Sequence, residues 1–297
     1  MSAACPNCCQ ESALSFRTRD YNRHVSTECF DYYDCAACGL IFLHPVPTDL
    51  GKHYPSDYYT IPTSVEALAR AVPAVRYKIE ILKQFVRSGR LLEIGPACGD
   101  FAFLAKEAGF EVQTIEMDPR CCEFLTRQVG VGAVCTNDIG QALRALGPFE
   151  VIALWHVIEH LPDALEIVAA TAARLARDGV LLIAAPNPEA FQFRVMRGRW
   201  THVDAPRHTL LIPLSLLTAH ARKHDLEAVW MTTKDEGALG WNRFGWEMSL
   251  RNLGRARASR RCLQQLGRWL ARCAVPFDRR ESRGSAYTVV FRKGKTL

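Results

Sequence analysis

The sequence predicts an α/β protein in which a parallel β-sheet with flanking helices follows a small metal-binding module. Three observations support this fold class. Residues 90–119 read as strand, glycine turn, helix and strand; the alternation continues downstream; and two Cys-x2-Cys pairs stand near the N-terminus. The 297 residues suffice for one large domain and one small one.

The cysteine module is predicted over residues 1–45. Its four thiolates, from Cys5, Cys8, Cys35 and Cys38, are what a closed structural zinc site requires, and Gly39 permits a tight turn after the second pair. A segment this small needs a metal to fold. The 12 cysteines without a secretory signal favour reduced thiols over disulfides. Free-thiol turns or a redox pair are the alternatives.

A proline-rich connector and a leading helix are predicted over residues 46–87. The prolines between residues 45 and 62 exclude a long helix there, and a helix with one apolar stripe follows over residues 64–87. The connector clusters Tyr54, Tyr58 and Tyr59. These tyrosines either pack the connector onto the main domain or line a substrate cleft.

The central unit of the fold begins with an apolar run at residues 91–94, typical of a buried parallel strand. A glycine turn follows, then an amphipathic helix from Asp100 to about Ala108, and a second strand that ends at Glu116. Such a unit builds a nucleotide site at the carboxyl edge of a sheet. Its glycines let the backbone approach the ligand, and Glu116 can accept both hydroxyls of a ribose.

Further alternation of helices and strands is predicted after Glu116. The strands cover residues 131–135, 151–155, 180–185, 228–233 and 286–292, and the helices cover residues 120–128, 164–176 and 215–223. Residues 237–285 form an insertion before the last strand.

The basic charge of the chain is concentrated in this insertion. Residues 251–283 hold ten arginines against two acids, an excess greater than the net +6 of the whole chain. A general nucleic-acid surface is therefore disfavoured. The insertion is a solvated face, a lid that binds phosphate groups, or a surface that lies on an anionic membrane.

The turn after the first strand resembles motif I of the class I S-adenosylmethionine (SAM) dependent methyltransferases, (D/E)xGxGxG. Glu93, Gly95 and Gly99 match it; Ala97 replaces the middle glycine, a mild departure if its φ is negative. Three later stretches are also similar to a bacterial group of these enzymes: HVIEHLPD at 156–163, APNP at 185–188 and DAPRHTL at 204–210. That group includes relatives of ubiquinone-pathway O-methyltransferases and enzymes of polysaccharide and natural-product pathways.

The resemblance implies a seven-stranded Rossmann-like methyltransferase domain over residues 88–297, with an antiparallel seventh strand, behind a zinc-ribbon-like module. It also implies SAM as the cofactor. The residues implied to bind it are Glu93, Gly95, Ala97, Gly99, Glu116, Met117, Asp138, Ile139 and Trp155. Asp138 either contacts the adenine amino group or caps the next helix, and the two roles are compatible.

Four ionisable residues are expected near the acceptor: His156, Glu159, His160 and His208. A helical turn would gather the first three. One interpretation is that His156 or His208 is a general base. Another is that some of the four hold a divalent metal, as an ExxEH motif and a later histidine do in small-RNA 2′-O-methyltransferases, although His156 replaces the first glutamate of that motif. The third is that Glu159 and His160 only brace the loop.

The predicted function is SAM-dependent methylation of a small molecule. A sugar, glycan or natural-product intermediate is favoured, with O-methylation ahead of C- or N-methylation, and a nucleotide- or lipid-linked sugar would suit the basic insertion. The alternatives are an RNA methyltransferase, which no NPPY-type motif supports, and a non-catalytic docking protein. Without a signal peptide or an apolar run of transmembrane length, a cytoplasmic location is expected, with peripheral membrane contact left open.

Overall fold

Two β-sheets organise the chain, whose structure, a computed structural model, describes residues 2–294. The strands are β1 (Ser2–Ala4), β2 (Glu11–Thr18), β3 (Phe30–Asp34), β4 (Ile41–Leu43), β5 (Gly89–Ile94), β6 (Phe110–Glu116), β7 (Gly132–Cys135), β8 (Phe149–Trp155), β9 (Leu175–Pro186), β10 (Leu210–Leu211), β11 (Leu226–Thr232) and β12 (Ala286–Lys293). The helices are α1 (Val65–Ala71), α2 (Tyr77–Lys83), α3 (Asp100–Glu107), α4 (Pro119–Phe124), α5 (Ile139–Ala145), α6 (Ala164–Arg174), α7 (Phe191–Met196), α8 (Leu214–Arg222), α9 (Glu236–Arg251), α10 (Arg257–Cys273) and α11 (Val275–Asp278).

The larger sheet has seven strands in the order β11-β12-β9-β8-β5-β6-β7. Neighbouring strands from β9 to β7 run parallel, and β12 runs antiparallel to both of its neighbours. Central strands are buried on both faces, so residues 151–155 of β8 form a continuous apolar run. The predicted α/β class, the seven strands and the antiparallel last strand are confirmed.

The smaller sheet combines the cysteine segment with one strand from far along the chain. β1 to β4 form an antiparallel meander, and β10 pairs with β4 through Leu210–Phe42 and Leu211–Ile41. A two-residue strand leaves no periodic signal, so the sequence did not indicate β10. A domain division at residue 45 stays a prediction, and the strand that completes the module comes from beyond it.

A buried arginine ties the two parts of the chain together. The Arg207 side chain has no exposed surface and donates hydrogen bonds to the carboxylates of Asp20, in the cysteine segment, and Asp204. Burial alone would raise the pKa of Asp204, but the Arg207 guanidinium holds it well below its usual range. Removal of either partner would leave a buried charge unpaired, which is costly.

The predicted single helix over residues 64–87 is wrong, because a tight turn divides it. Ser64 caps α1 by accepting a hydrogen bond from the Ala67 amide at 3.3 Å. A 3-10 turn, Val72–Val75, then separates α1 from α2. Pro73 lies in this turn and has no amide hydrogen for an α-helical bond. The break sets the direction of α2 independently of α1.

The insertion between β11 and β12 folds into α9, α10 and α11. α10 packs along α9, and Gly267 lies at the contact, where an added Cβ would be 2.6 Å from Trp246 O. α9 also contacts β12 and the short turn at Thr201–Val203. α9 therefore stands between the outer helix α10 and the site described next.

Candidate active site

A cavity of about 310 Å³ opens at the carboxyl ends of the central parallel strands. Most of the residues predicted to bind the cofactor line it: Glu93, Gly95, Ala97, Glu116, Met117, Ile139 and Trp155. Gly99 instead begins α3 as its N-cap. Asp138 caps α5, its Oδ1 accepting from Gln141 N at 2.7 Å, while its neighbour Asn137 reaches the cavity.

The turn between β5 and α3 is left-handed at three positions. Gly95, Ala97 and Gly99 have φ values of 66°, 51° and 84°. The expectation that Ala97 tolerates the turn with a negative φ is therefore wrong, and its conformation costs roughly 1–2 kcal/mol. At Gly95 the packing excludes a side chain as well, because an added Cβ would lie 2.6 Å from Val157 Cγ2.

Glu116 holds this turn as well as facing the cavity. Its Oε2 accepts from the Ala97 amide at 2.9 Å, and its Oε1 accepts from the amides of Met117 and Asp118 at 2.8 and 2.9 Å. A carboxylate has about four acceptor positions, so three are already used. One acceptor position of Glu116 therefore remains, fewer than the two predicted for both hydroxyls of a ribose.

Three buried polar atoms on the cavity wall lack a hydrogen-bond partner within residues 2–294: Glu93 Oε2, Trp155 Nε1 and His156 Nδ1. Lys78 of α2 lies over the Trp155 ring, with Nζ 5.2 Å from its centroid. Burial raises the pKa of Glu93 and lowers the pKa of Lys78, and their mutual attraction partly opposes both shifts. Lys78 was not predicted as a site residue. The only sign of it in the sequence is a lysine beside the apolar stripe of the leading helix.

A second cavity, of about 440 Å³, adjoins the first. Tyr58, His156 and His160 line both cavities and mark their junction. All three connector tyrosines line the first cavity. The walls of the second come from the cysteine segment, the loop before β10 and α9, which supplies Trp241 and Phe244.

The ionisable cluster lies at this junction. A carboxylate oxygen of Glu159 and ring nitrogens of His160 and His208 are within 4.8 Å of one another. His160 Nδ1 is 3.1 Å from Arg207 O, and His208 Nδ1 is 2.8 Å from His202 O. Because a carbonyl oxygen only accepts, each Nδ1 carries the hydrogen that faces its carbonyl, and Tyr54 Oη lies 3.0 Å from the same His160 Nδ1. In a neutral ring of this tautomer, Nε2 has the lone pair that a metal ligand or a general base needs.

Burial keeps one member of the cluster uncharged. It lowers the pKa of His160 to about 4, so this ring is neutral near pH 7. Glu159 is 2% exposed, and its Oε2 has no hydrogen-bond partner among the described residues. A buried carboxylate with a free oxygen beside two imidazoles suits a divalent cation.

His156 lies outside the group of three residues whose ligand atoms are all within 4.8 Å of one another. Its Nδ1 is nevertheless 3.7 Å from Glu159 Oε1, closer than His208 Nε2 at 4.0 Å but too far for a hydrogen bond, and its ring centroid is 4.6 Å from that of Trp241. Its φ of 57° is left-handed, and the helical turn covers only Ile158–His160. The prediction that one helical turn includes His156 is therefore wrong, although the fold still places His156 at the junction.

The four cysteines of the predicted zinc site converge. Sγ–Sγ distances are 3.6 Å for Cys5–Cys38, 3.4 Å for Cys8–Cys35 and 3.8 Å for Cys8–Cys38. A tetrahedral zinc site with Zn–S bonds of about 2.3 Å has sulfur–sulfur edges of about 3.8 Å. Gly39, with φ of 74°, makes the turn after the second pair. The cluster can therefore hold a metal ion without rearrangement of the fold.

Comparison with known proteins agrees with this geometry. A family model described as a methyltransferase domain matches residues 67–229, more than half of the chain. A solved SAM-dependent methyltransferase from Archaeoglobus fulgidus has 15% identity and a TM-score of 0.51, covering 75% of this chain and 95% of its own. No curated protein sequence matches the chain.

Two further solved structures share the fold. A proposed sarcosine dimethylglycine methyltransferase from Galdieria sulphuraria has 12% identity and a TM-score of 0.52, covering 78% of this chain and 89% of its own. A proposed methyltransferase from Bacillus halodurans has 12% identity and a TM-score of 0.50, covering 74% and 99%. Among residues 2–294, no helix combines the length and apolar character needed to cross a membrane.

Proposed function

Because the chain belongs to the methyltransferase-domain family of class I SAM-dependent methyltransferases, we propose that it methylates a small molecule bound in the second cavity. The observation that carries the proposal is the junction of the two cavities at His156 and His160, beside the ionisable cluster. A sugar, glycan or natural-product intermediate is favoured as acceptor. Oxygen is favoured as the methylated atom, since a hydroxyl needs its proton removed and the cluster offers imidazoles that can accept a proton.

The first cavity suits SAM through its unsatisfied polar atoms. Glu93, with its free oxygen, and Lys78 would bind the ammonium and carboxylate of the amino-acid part, and Glu116 would accept from the ribose. The side where Asn137 and Ile139 reach the cavity would take the adenine. When bound, SAM supplies a methyl group on a positively charged sulfur, which an aligned nucleophile displaces in line.

A divalent metal held by Glu159, His160 and His208 is the favoured way to activate the acceptor. Its support is the donor set: one buried carboxylate with a free oxygen and two imidazoles whose Nδ1 hydrogens are anchored to carbonyls. Such a metal would acidify an acceptor hydroxyl. His156, at the junction but outside this set, would then accept the proton.

The first experiment is label transfer. Purified protein and methyl-labelled SAM are incubated with host extract that is afterwards separated into small metabolites, lipid-linked glycans and RNA. Label in metabolites or glycans supports the proposal and identifies the acceptor. Label in RNA would replace it by RNA methylation. No label in any fraction, with SAM bound, would direct attention to a docking role.

The role of His208 in the proposed activation of the acceptor is tested with His208→Ala. With the identified acceptor, kcat should fall by about 100-fold or more, the loss typical when a metal ligand or general base is removed. SAM affinity should stay unchanged because His208 does not line the first cavity. His224→Ala, on a histidine remote from the junction, serves as the control.

Chelation separates the metal from the simple base. Activity of the wild type should disappear with chelator and return with Mn²⁺, while the zinc content of the cysteine cluster, measured in parallel, stays constant. Full activity of the chelated protein with intact zinc would reject the metal at this cluster and favour His156 or His208 as the base.

A further inference from the structure

The second cavity is built from three distant parts of the chain. The cysteine segment contributes Asn22 and Arg23, the loop before β10 contributes Asp204, and α9 contributes Trp241 and Arg251. Residues of the cysteine segment thus lie on the wall of the proposed acceptor site. In this position they can contact the acceptor directly.

Asn22 fixes the position of the segment that carries Arg23. Its Nδ2 donates to Thr201 O at 2.7 Å and to Asp204 Oδ1 at 2.5 Å. Its Oδ1 accepts from Thr201 Oγ1 at 2.7 Å and from Asn252 Nδ2 at 2.9 Å. All donor and acceptor positions of this amide are satisfied. The bond to Asn252 also ties the end of α9 to the same segment.

Arg23 is held from both its backbone and its side chain. Its amide donates to Asp20 Oδ1 at 3.0 Å, and its guanidinium carbon lies 4.9 Å from the centroid of Tyr58, which lines both cavities. Stacking on an aromatic ring leaves the edge of a guanidinium open for hydrogen bonds. Across the cavity wall, Arg251 closes α9 and makes only a weak 3.8 Å contact with Met248 Sδ.

Two guanidinium groups on the wall of the second cavity have no acidic partner. The two acids that line the cavity lie elsewhere: Asp204 pairs with Arg207, and Glu159 Oε1 is 3.7 Å from His156 Nδ1 and 4.0 Å from His208 Nε2. The guanidinium groups of Arg23 and Arg251 have no carboxylate within 4.0 Å in the part of the chain that the structure describes. Two guanidinium groups without a carboxylate partner on one cavity complement an anion.

We propose that the methyl acceptor carries an anionic group, a phosphate ester or a carboxylate, that binds between Arg23 and Arg251. The body of the acceptor then lies against Trp241 and Phe244, and its reacting group reaches the cluster at the junction. Arg23 and Arg251 are specificity-determining residues that bind substrate from two different parts of the chain. This inference rests on the proposed methylation of a small molecule.

The anion site is tested first without the acceptor. The full chain is saturated with S-adenosylhomocysteine, so that the cofactor site is filled, and titrated calorimetrically with inorganic pyrophosphate and with succinate at constant ionic strength. Binding of either anion is expected. Arg23→Gln and Arg251→Gln should each weaken it by about tenfold, the loss of one charge-assisted contact.

Arg261→Gln is the matched control, because Arg261 is an exposed arginine on α10 outside the cavity. It should bind both anions as the wild type does. Equal affinity in wild type, Arg23→Gln and Arg251→Gln, or an equal loss in the control, overturns the inference. Thermal melts of each variant show whether a loss reflects unfolding.

The label-transfer product provides the second test. Labelled small molecules are passed over an anion exchanger at pH 7, before and after phosphatase treatment. Retention lost after phosphatase identifies a phosphate monoester. Retention that is lost only when phosphodiesterase precedes the phosphatase identifies a diester or diphosphate, and retention that persists after both enzymes identifies a carboxylate. Label in the unretained neutral fraction overturns the anionic acceptor but leaves methylation of a small molecule intact, whereas label in RNA overturns both.

Discussion

Ala97 holds a backbone conformation that its side chain disfavours. Its φ of 51° lies between the positive values of Gly95 and Gly99, which pay no such penalty. The conformation is maintained by the hydrogen bond from the Ala97 amide to Glu116 Oε2, at 2.9 Å. The strained alanine and the carboxylate that faces the first cavity are therefore in direct contact at this turn.

Ala97→Gly should therefore stabilise the protein. The left-handed conformation costs alanine roughly 1–2 kcal/mol, and the greater freedom of glycine when unfolded returns part of this, so a net gain of about 0.5–1 kcal/mol is expected. Urea denaturation measures the difference. Ala145→Gly, at an exposed position in α5, should lower the free energy of unfolding by a similar amount. A lower free energy of unfolding in both variants would contradict the strain at Ala97.

Asp278 should destabilise the protein at neutral pH. It is 2% exposed, accepts a 2.9 Å bond from Trp246 Nε1, and has no partner for Oδ1 among the described residues. Burial raises its pKa to about 6. The hydrogen bond from Trp246 lowers the pKa of Asp278 but does not outweigh burial.

The pKa of Asp278 is higher in the folded protein than its ordinary value of 3.8, because the folded chain binds the proton more tightly than the unfolded chain. This proton binding stabilises the folded protein fully below about pH 4, and the stabilisation is lost as the pH rises through 6. Asp278→Asn keeps an acceptor for Trp246 and removes the charge. Its Tm should exceed that of the wild type by roughly 2–4 °C at pH 8. The gain should vanish at pH 4. A Tm below the wild type at both pH values would refute this account.

Motif residues of the site were predictable because a local pattern marks them. Glu93, Gly95 and Glu116 follow directly from one strand–turn–helix–strand unit. Lys78 and Arg23 were not predictable as site residues, since only tertiary packing brings α2 and the cysteine segment to the cavities. The φ of Ala97 was not predictable from residue type, because the folded chain sets it where the Ala97 amide bonds to Glu116.

At the level of elements, α9 depends on α10 for its position. Gly267 of α10 lies directly against the α9 backbone, where an added Cβ would be 2.7 Å from Glu247 Cα. Glu247 also accepts from Arg243, on the same helix, at 2.8 Å and from Arg268 of α10 at 3.1 Å. The bond from Arg268 bridges the two helices. Since α9 carries Trp241 and Arg251, the packing of α10 bears on the second cavity.

Gly267→Ala should push the two helices apart. Overpacking against backbone typically costs about 1–3 kcal/mol, more than alanine gains in helix propensity, so Tm should fall. KM for the acceptor should rise, because the wall formed by α9 shifts. Gly240→Ala is the matched control: nothing lies within 4 Å of its added Cβ, and helix propensity should raise stability by about 1 kcal/mol. A stabilised Gly267→Ala variant would contradict close packing there.

Long periodic elements were predictable, and short or interrupted ones were not. Six strands of the large sheet were assigned within two residues at each end, since each is an apolar run or an apolar–polar alternation between turns. β9 begins at Leu175, five residues before the predicted start, so the prediction of a helix through residue 176 is wrong at its last two residues. The break at Pro73 was missed because the apolar stripe continues through it. β10 has only two residues, Leu210 and Leu211, and depends on β4 for its existence.

At the level of the whole molecule, we expect a zinc ion at the cysteine cluster to stabilise both parts of the chain. The module shares β10 and the buried Arg207–Asp20 pair with the rest of the protein. Cys35→Ser should therefore remove bound zinc and lower Tm by more than 10 °C, since structural zinc supplies folding free energy directly. Elemental analysis should find one zinc per chain in the wild type.

Cys9→Ser is the control for this change. Cys9 is exposed and adjoins the first cysteine pair, so its loss should leave both zinc content and Tm unchanged. Retention of zinc by Cys35→Ser would contradict the assigned ligand set. A zinc-free variant with unchanged Tm would show that the two parts are not coupled.

The pairing of β10 with β4 has a consequence for synthesis on the ribosome. Ile41 and Phe42 are translated long before Leu210 and Leu211, so a nascent chain exposes the open edge of β4 while most of the protein is still being made. Unpaired strand edges invite association with other chains. We expect early zinc capture to hold that edge in register, so that metal supply during translation limits the yield of folded protein.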